Sequence, residues 1–342
     1  MAVKQLPRFS IVKAIQVVGD AWTIKILGGI FRGERRFIDI QAALQISKSA
    51  LATRLDQMVK NGLLLRVPLP DSRRFEYRLD EAGLDLWEVL LAIRQWELTW
   101  YPDTLMARRV MYHTECGEFV EPKLSCNICT APLTPFNTTA KAGPGAGFDP
   151  RPAPNARRRG SAALRDSDGS GMNNSTMLIF GDRWTPAIIA TLFRGLSRFN
   201  EIEAYLHIPP VILAGRLGDL VELGVLRKRL VNEGQTAEEF RLTRKGLDIF
   251  PYIAMLAKWG DQWMSDDHGL PLTFHHKDCG GQYIPVFRCS CCNRPLRRTR
   301  VKLFRDANEA EKWTRPSVSG AKPANSTGAE FSRRGTDNIL EG

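Results

Sequence analysis

The chain has 342 residues, 43% of them apolar and 25% charged, and its 48 Lys and Arg against 37 Asp and Glu leave a formal net charge of +11. The length suits two domains of about 130 residues. Apolar runs such as Leu63 to Leu65 fall far short of the ~18 residues that a membrane span requires, and Ile11 to Val18, interrupted by Lys13 and Gln16, makes no signal-peptide core. A cytoplasmic, nucleoid-associated protein with a polyanionic partner and no membrane contact is expected. The seven cysteines sit at short spacings, which suits metal binding in a reducing compartment better than a disulfide framework.

Taken in chain order, Ile11, Ala14, Ile15 and Val18 recur at helical spacing and stop at Gly19-Asp20. Thr23 is the expected N-cap of a second helix that runs to about Phe31 and breaks at Gly33. Phe37 to Leu44 follows as a short amphipathic helix, and Ser47 is placed to cap a third from Lys48 to Asn61, with Leu51, Leu55, Met58 and Val59 inward. Its outward residues, Lys48, Ser49, Thr53, Arg54, Gln57 and Lys60, suit contacts to phosphates and base edges, so this pair of helices reads as helix-turn-helix. Leu63 to Val67 and Phe75 to Leu79 form a hairpin whose turn exposes Arg73 and Arg74, a wing. A last helix, Glu81 to Trp100, carries more apolar surface than one small module needs, which suggests an association surface.

Beyond that helix stands His113-x2-Cys116-x9-Cys126-x2-Cys129. One imidazole and three thiolates make the tetrahedral set that structural zinc favours, with no open position for catalysis, and so short a segment would draw folding energy from the metal. The plainer alternative is reduced cysteines beside a surface histidine. Thr134 to Gly171, dense in Pro, Gly, Ala and Arg, reads as a flexible linker.

After the linker the chain repeats itself. At an offset of 162 residues, Gly19-Asp20, Trp22-Thr23 and Phe31-Arg-Gly33 meet Gly181-Asp182, Trp184-Thr185 and Phe193-Arg-Gly195; past the wing the offset is 163, and Arg78-Leu79, Gly83, Trp96 and Trp100 meet Arg241-Leu242, Gly246, Trp259 and Trp263. The Cys/His motif recurs as His276-x2-Cys279-x9-Cys289-x2-Cys292, with Cys291 outside the pattern. The expected architecture is mainly α with small β-wings (α+β): two tandem winged helix-turn-helix modules, each followed by a zinc-knuckle-like segment. They are placed at 9–133 and 172–302, with a linker at 134–171 and a disordered tail at 303–342.

The ordered motifs Val17-Val-Gly-Asp-Ala-Trp-Thr23, Phe31-Arg-Gly33, Arg36-Phe37 and Arg78-Leu79 through Gly83, present in both copies over Phe9 to Trp100 and Met172 to Trp263, resemble HxlR-type winged-helix transcriptional regulators. The resemblance implies dimerisation through terminal helices, a recognition helix in the major groove and a wing near the backbone or minor groove. Many relatives carry a thiol-switch cysteine just before the first helix, where this chain has Ser10 and Met172.

The copies differ in charge. The second has Pro209-Pro210, Arg216 as its helix cation, and Glu233, Glu238 and Glu239 in its wing, carboxylates that would repel phosphate. The expectation is a regulator of promoter DNA, acting by repression, with the first copy supplying most of the affinity. The two modules would form an intramolecular pseudo-dimer or a homodimer, and a small-molecule effector is allowed for. The competing expectation is a protein adapter built on degenerate winged helices and zinc knuckles. No nucleophile elbow, phosphate loop or paired-carboxylate motif is found, so no catalytic residue is assigned.

Overall fold

The computed structural model describes residues 5–70, 74–152, 171–230 and 238–313. The first copy opens with β1 (Gln5–Pro7) and helices α1 (Ser10–Val18), α2 (Ala21–Arg32), α3 (Phe37–Leu44) and α4 (Lys48–Lys60). The hairpin β2 (Leu64–Pro68) and β3 (Phe75–Leu79) follows, then α5 (Glu81–Asp85), α6 (Trp87–Trp100) and strands β4 (Val110–His113), β5 (Glu118–Phe119) and β6 (Pro122–Cys126). After β7 (Thr138–Ala142) and β8 (Phe148–Pro152), the second copy runs through α7 (Asn174–Phe180), α8 (Thr185–Phe193), α9 (Phe199–Leu206), α10 (Pro210–Glu222), β9 (Leu226–Leu230), β10 (Glu238–Leu242), α11 (Arg244–Leu247) and α12 (Phe250–Trp263). It ends in β11 (Leu272–His276), β12 (Pro285–Cys289), β13 (Val301–Phe304) and α13 (Ala307–Glu311). Both copies are winged helix-turn-helix units, with wings β2–β3 and β9–β10 antiparallel in register.

Local chemistry explains most boundaries and corrects several. Ser47 caps α4 by accepting from the Ala50 amide at 3.3 Å, and Leu51, Leu55 and Met58 are buried while Val59 is half-buried. The N-cap of α2 is Asp20, accepting from the Thr23 amide at 3.2 Å, so Thr23 lies inside the helix. In the second copy Asp182 does the same work for the amides of Trp184 and Thr185, and Thr185 is already helical with Pro186 behind it. The helix expected over Glu81 to Trp100 is broken at Leu86 into α5 and α6. There the chain presses on the wing: a Cβ on Gly83 would stand 2.1 Å from the Leu63 carbonyl, and one on Gly246 2.4 Å from that of Val225.

The two copies are interlocked about a pseudo-twofold axis and share one apolar core. β6 pairs antiparallel with β12 so that Leu124 faces Phe287, its own counterpart in the repeat. α1 packs on α12 of the other copy, α7 on α6, and α6 against α12. Trp96 donates its indole N–H to the Lys245 carbonyl at 3.0 Å, and Trp259 donates to that of Ala82 at 2.8 Å, equivalent bonds related by the repeat. Trp96 also meets Phe180 edge to face at 5.2 Å between centroids. These tryptophans are core residues and copy-to-copy contacts at once. Among the described residues no single helix is long and apolar enough to cross a membrane; α1 and α2 together approach that composition, but they are bent by 74° and largely buried.

Two segments depart from expectation. Residues 134–171 contain β7, which pairs with β11, and β8, which pairs with β1; an edge strand with free N–H and C=O groups takes up whatever chain lies beside it, Gly-rich or not. The expected tail begins with β13, paired with β4, and α13, whose N-cap Asp306 accepts from Glu309. Residues 314–342 lie outside the described residues.

At the α1–α12 contact, Ser10 hydrogen-bonds Asp261, and burial pushes that carboxyl up to about 6. An unfolded Asp ionises near ~4, so the folded chain holds this proton more tightly between about pH 4 and 6 and loses stability as pH rises through that window. Asp261→Asn is expected to be neutral at pH 4.5 and to stabilise by about 2 kcal/mol at pH 7.5, read from urea unfolding curves at the two pH values.

Candidate nucleic-acid interface and metal centres

In the first copy α3 and α4 form the helix-turn-helix, turning through Gln45 in the left-handed conformation (φ 50°). Lys48, Ser49, Thr53, Gln57 and Lys60 are all exposed on α4. Gln57 also bonds Asn61 at 3.1 Å, and Thr53 donates to the Ser49 carbonyl at 2.9 Å. Arg54 stands apart: its guanidinium lies 3.0 Å from Asp20 and its side chain is 26% exposed. The second copy repeats this more tightly, with Arg216 at 2.8 Å from the buried Asp182 and 3.7 Å from Asp219. In both copies the same arginine therefore ties the recognition helix to the start of the helix behind it. The repeat had marked both members, Arg54 with Arg216 and Asp20 with Asp182, but the spacing of 34 residues gave no sign that they meet.

The wings differ as their charges suggest. Arg66 in β2 pairs with Asp56 and lies over the Phe75 ring at 5.2 Å. Arg74 begins the return of the hairpin, while Arg73 lies outside the described residues. In the second wing Lys228 is paired with Glu238 at 2.9 Å, and Glu239 lies 3.7 Å from Arg198 and also meets Arg241; Glu233 lies outside the described residues. The outer face of α10 carries Val211, 86% exposed, and two glycines, Gly215 and Gly218, where α4 carries Ser49, Thr53 and Asp56, and it has Pro210 and Glu222 in the places of Lys48 and Lys60.

The eight Cys/His residues do gather into two quartets, but across the copies. His113 and Cys116 meet Cys289 and Cys292; Cys126 and Cys129 meet His276 and Cys279. The expectation of one closed set per copy is thus corrected. Pairing of β6 with β12 sets the Cys-x2-Cys turn at the end of each strand beside the other copy's His-x2-Cys. In the first quartet Cys116 Sγ lies 3.7 Å from Cys289 Sγ, and His113 Nδ1 lies 3.3 Å from Cys116 and 3.5 Å from Cys292. In the second, Cys126 and Cys279 are 4.0 Å apart, and His276 Nδ1 is 3.2 Å from Cys129 and 3.5 Å from Cys279.

A tetrahedral ion with metal–sulfur bonds of ~2.3 Å and metal–nitrogen bonds of ~2.0 Å would space its ligands by about 3.8 Å (S to S) and about 3.5 Å (N to S). Both quartets could therefore hold a metal ion. Other details agree. Both histidines are fully buried and turn Nδ1 inward, with Nε2 at 3.8 Å from Glu115 and 3.2 Å from Asp278, carboxylates able to orient the rings. The amides of Ile128 and Cys292 donate to Cys126 and Cys289. Gly117 and Gly280 take left-handed backbone (φ 75° and 70°) just past each His-x2-Cys. Burial, with the neighbouring Cys289 and Cys292, pushes the Cys116 thiol up to about 12, while the hydrogen bonds that Cys289 accepts lower that thiol despite its burial. Cys291 is exposed and outside both quartets.

Comparison with known proteins bears on both copies. The profile of the family described as HxlR-like helix-turn-helix matches residues 17–104 and again 179–268. An uncharacterized HTH-type transcriptional regulator of Mycobacterium bovis is 39% identical over 137 residues, which make up 40% of this chain and 87% of that protein, so one copy here matches nearly all of it. A Mycobacterium tuberculosis regulator of the same description matches equally. The Bacillus subtilis HTH-type regulator YvaP is 33% identical over 87 residues, 25% of this chain and 81% of its own. Among solved structures, PA1607 is 33% identical over 35% of this chain and 84% of its own, with a TM-score of 0.31.

The arginine tie makes a stability prediction. Asp182→Ala removes two amide caps and leaves the half-buried Arg216 short of its main partner. Chemical denaturation should show a loss of about 2–4 kcal/mol, against about 1 kcal/mol for the more exposed Asp20→Ala.

Proposed function

Because the chain belongs to the HxlR-like helix-turn-helix family, we propose that it is a DNA-binding transcriptional regulator in which one polypeptide supplies both halves of the dimer that its shorter relatives would need two chains to build. The observation that carries this reading is the solvent-facing row Lys48, Ser49, Thr53, Gln57 and Lys60 on α4, beside a wing that carries Arg66, Arg74 and Arg78. Such a helix fits the major groove, with Lys48 and Lys60 on phosphates and Thr53 and Gln57 toward base edges. Arg54 and Arg216 hold their helices to Asp20 and Asp182 in the absence of DNA, so any contact they make to DNA must be shared with those carboxylates. Family and relatives point to a regulator and not to an enzyme, and they do not favour the adapter alternative.

The first copy carries most of the affinity on this reading. In the second wing Lys228 and Arg241 are matched by Glu238 and Glu239, and α10 offers no basic row. Its module then serves pairing and a weak half-site. Occupying a promoter by this means would repress, in the cytoplasm where the nucleoid lies. With the Arg73→Ala and Arg74→Ala changes combined, affinity for duplex DNA near ~0.1 M salt should fall about tenfold or more, with a salt slope shallower by about 2. The Lys228→Ala and Arg229→Ala pair should cost less than about threefold. Equal losses would remove the asymmetry, and a chain whose binding ignores salt would remove the DNA reading.

The metal of the two quartets is zinc on this proposal, because three thiols and one imidazole at tetrahedral spacing match its ligand preference. His113, Cys116, Cys289 and Cys292 would hold one ion, and Cys126, Cys129, His276 and Cys279 the other. Zinc content should be two per chain. A Cys116→Ser, Cys289→Ser variant should retain one ion, since both changes fall in one quartet. Cys116→Ser with Cys126→Ser damages both quartets and should retain fewer than one; the reverse order would mean that the ligand sets close within each copy.

A further inference from the structure

A crevice of about 530 Å³ opens between the end of α2, the outer side of α6, the chain leading into β4, and the β13–α13 segment of the second copy. Phe31, Trp87, Leu90 and Met111 give it an apolar floor, while Arg32, Arg94, Arg109, Arg298 and Arg305 enter it against one carboxylate, Glu309. That balance is unusual for a partly enclosed space, where like charges repel more strongly than in water. Two of the arginines have neutralising neighbours: Arg32 lies 3.1 Å from Glu34, and Arg305 lies 4.0 Å from Glu309. Arg94 is 2% exposed and reaches Glu121 at 3.0 Å and the Arg109 carbonyl, yet its Nε is buried without a hydrogen-bond partner. The Arg109 side chain has no hydrogen bond or ion pair among the described residues. Burial, and then the neighbouring Arg32 and Arg94, lower its hold on the proton, with Glu34 and Glu309 partly offsetting them.

The repeat supplies an internal control. A second crevice of about 430 Å³ sits at the corresponding place in the other copy, with Phe250, Ile253 and Phe274 standing for Trp87, Leu90 and Met111. There Leu272 occupies the position of Arg109, and Ala257 that of Arg94. Packing at this point of the fold therefore does not require the buried arginines, because the other copy is built without them. Their volume and charge are a property of one crevice only.

We propose that the arginine-lined crevice binds a small organic anion, an acidic head group on an apolar body, and that the bound anion is the effector of DNA binding; the second clause rests on the regulatory reading above. The head group would pair with Arg109 and the free Nε of Arg94, and the body would lie against Trp87 and Leu90. The volume is that of a metabolite-sized pocket. Because the walls come from α2 and α6 of one copy and β13–α13 of the other, the ligand would bridge the halves just behind the helix that Arg54 ties to α4 through Asp20.

Full-length protein titrated with 1-anilinonaphthalene-8-sulfonate reads this chemistry directly. Saturable fluorescence that octanoate displaces, and that octanol and inorganic phosphate displace at least tenfold less well, is expected. Arg109→Leu, which installs the residue type of the second copy, should weaken that binding about tenfold or more with the circular dichroism spectrum unchanged. Equal affinity in folded Arg109→Leu, or equal competition by octanol or phosphate, overturns the pocket. Should that variant misfold, Arg305→Ala, at an 80% exposed side chain, carries the test: a threefold or greater loss is expected, and none overturns it. Anisotropy of labelled genomic DNA fragments with and without octanoate then tests the effector role, with a threefold or larger change in Kd expected. No change overturns that role alone, whereas absence of DNA binding before octanoate is added strikes the regulatory reading and leaves the fluorescence result standing.

Discussion

Everything in this molecule depends on the exchange of parts between its two copies. Neither winged helix closes its own core: α1 is buried on α12 and α7 on α6, and the indoles of Trp96 and Trp259 find their acceptors only across the axis. A buried indole N–H left without a partner would cost about 1–3 kcal/mol. The reciprocal bonds to Lys245 and Ala82 therefore do more than fill space; they fix the register in which the halves meet. The β6–β12 pairing, centred on Leu124 and Phe287, extends the same symmetry to the end of the assembly.

That pairing decides what the Cys/His segments can do. Since each Cys-x2-Cys turn ends a strand paired with the other copy, it arrives beside the foreign His-x2-Cys, and a metal in either quartet would join the two halves as well as fold the segment around it. The two functions suggested by the chain, reading DNA and holding metal, are thus mechanically connected. Both depend on the core that the two copies share, which metal in the quartets would join across the copies.

Duplication also freed the copies to diverge. Two chains of a symmetric dimer must carry the same residues at both half-sites; here α4 keeps Lys48, Gln57 and Lys60 while α10 has Pro210, Asp219 and Glu222 in their places. The pair Asp182 and Arg216 is more buried and better bonded than Asp20 and Arg54. One module has kept a polar and basic row on its recognition helix, and the other has lost that row.

The chain order of helices, the caps at Ser47 and the wings could all be read from apolar periodicity and turn residues, because those signals are local and each copy repeats them. The fold class and the family likewise follow from short motifs held in register over both copies. Local signals misled where a nearby competitor existed, as when Asp20 took the cap that Thr23 could have supplied, and where the helix expected over Glu81 to Trp100 broke at Leu86. The metal ligands were legible by type, and the grouping was not: His113 stands closer in sequence to Cys126 than to Cys289, and spacing along a chain carries no information about which of two identical motifs a strand will pair with. The order of 134–152 was hidden for a related reason, since Gly- and Pro-rich composition describes the intrinsic freedom of a segment and not the unpaired edge of β11 waiting beside it. By itself, then, the sequence determined two winged helices, their charges and eight ligand-type side chains. Only the tertiary structure decided that the halves would trade helices and strands, bringing Cys289 to His113 and Arg298 to Arg109, because apolar periodicity marks which face is buried and not which partner covers it.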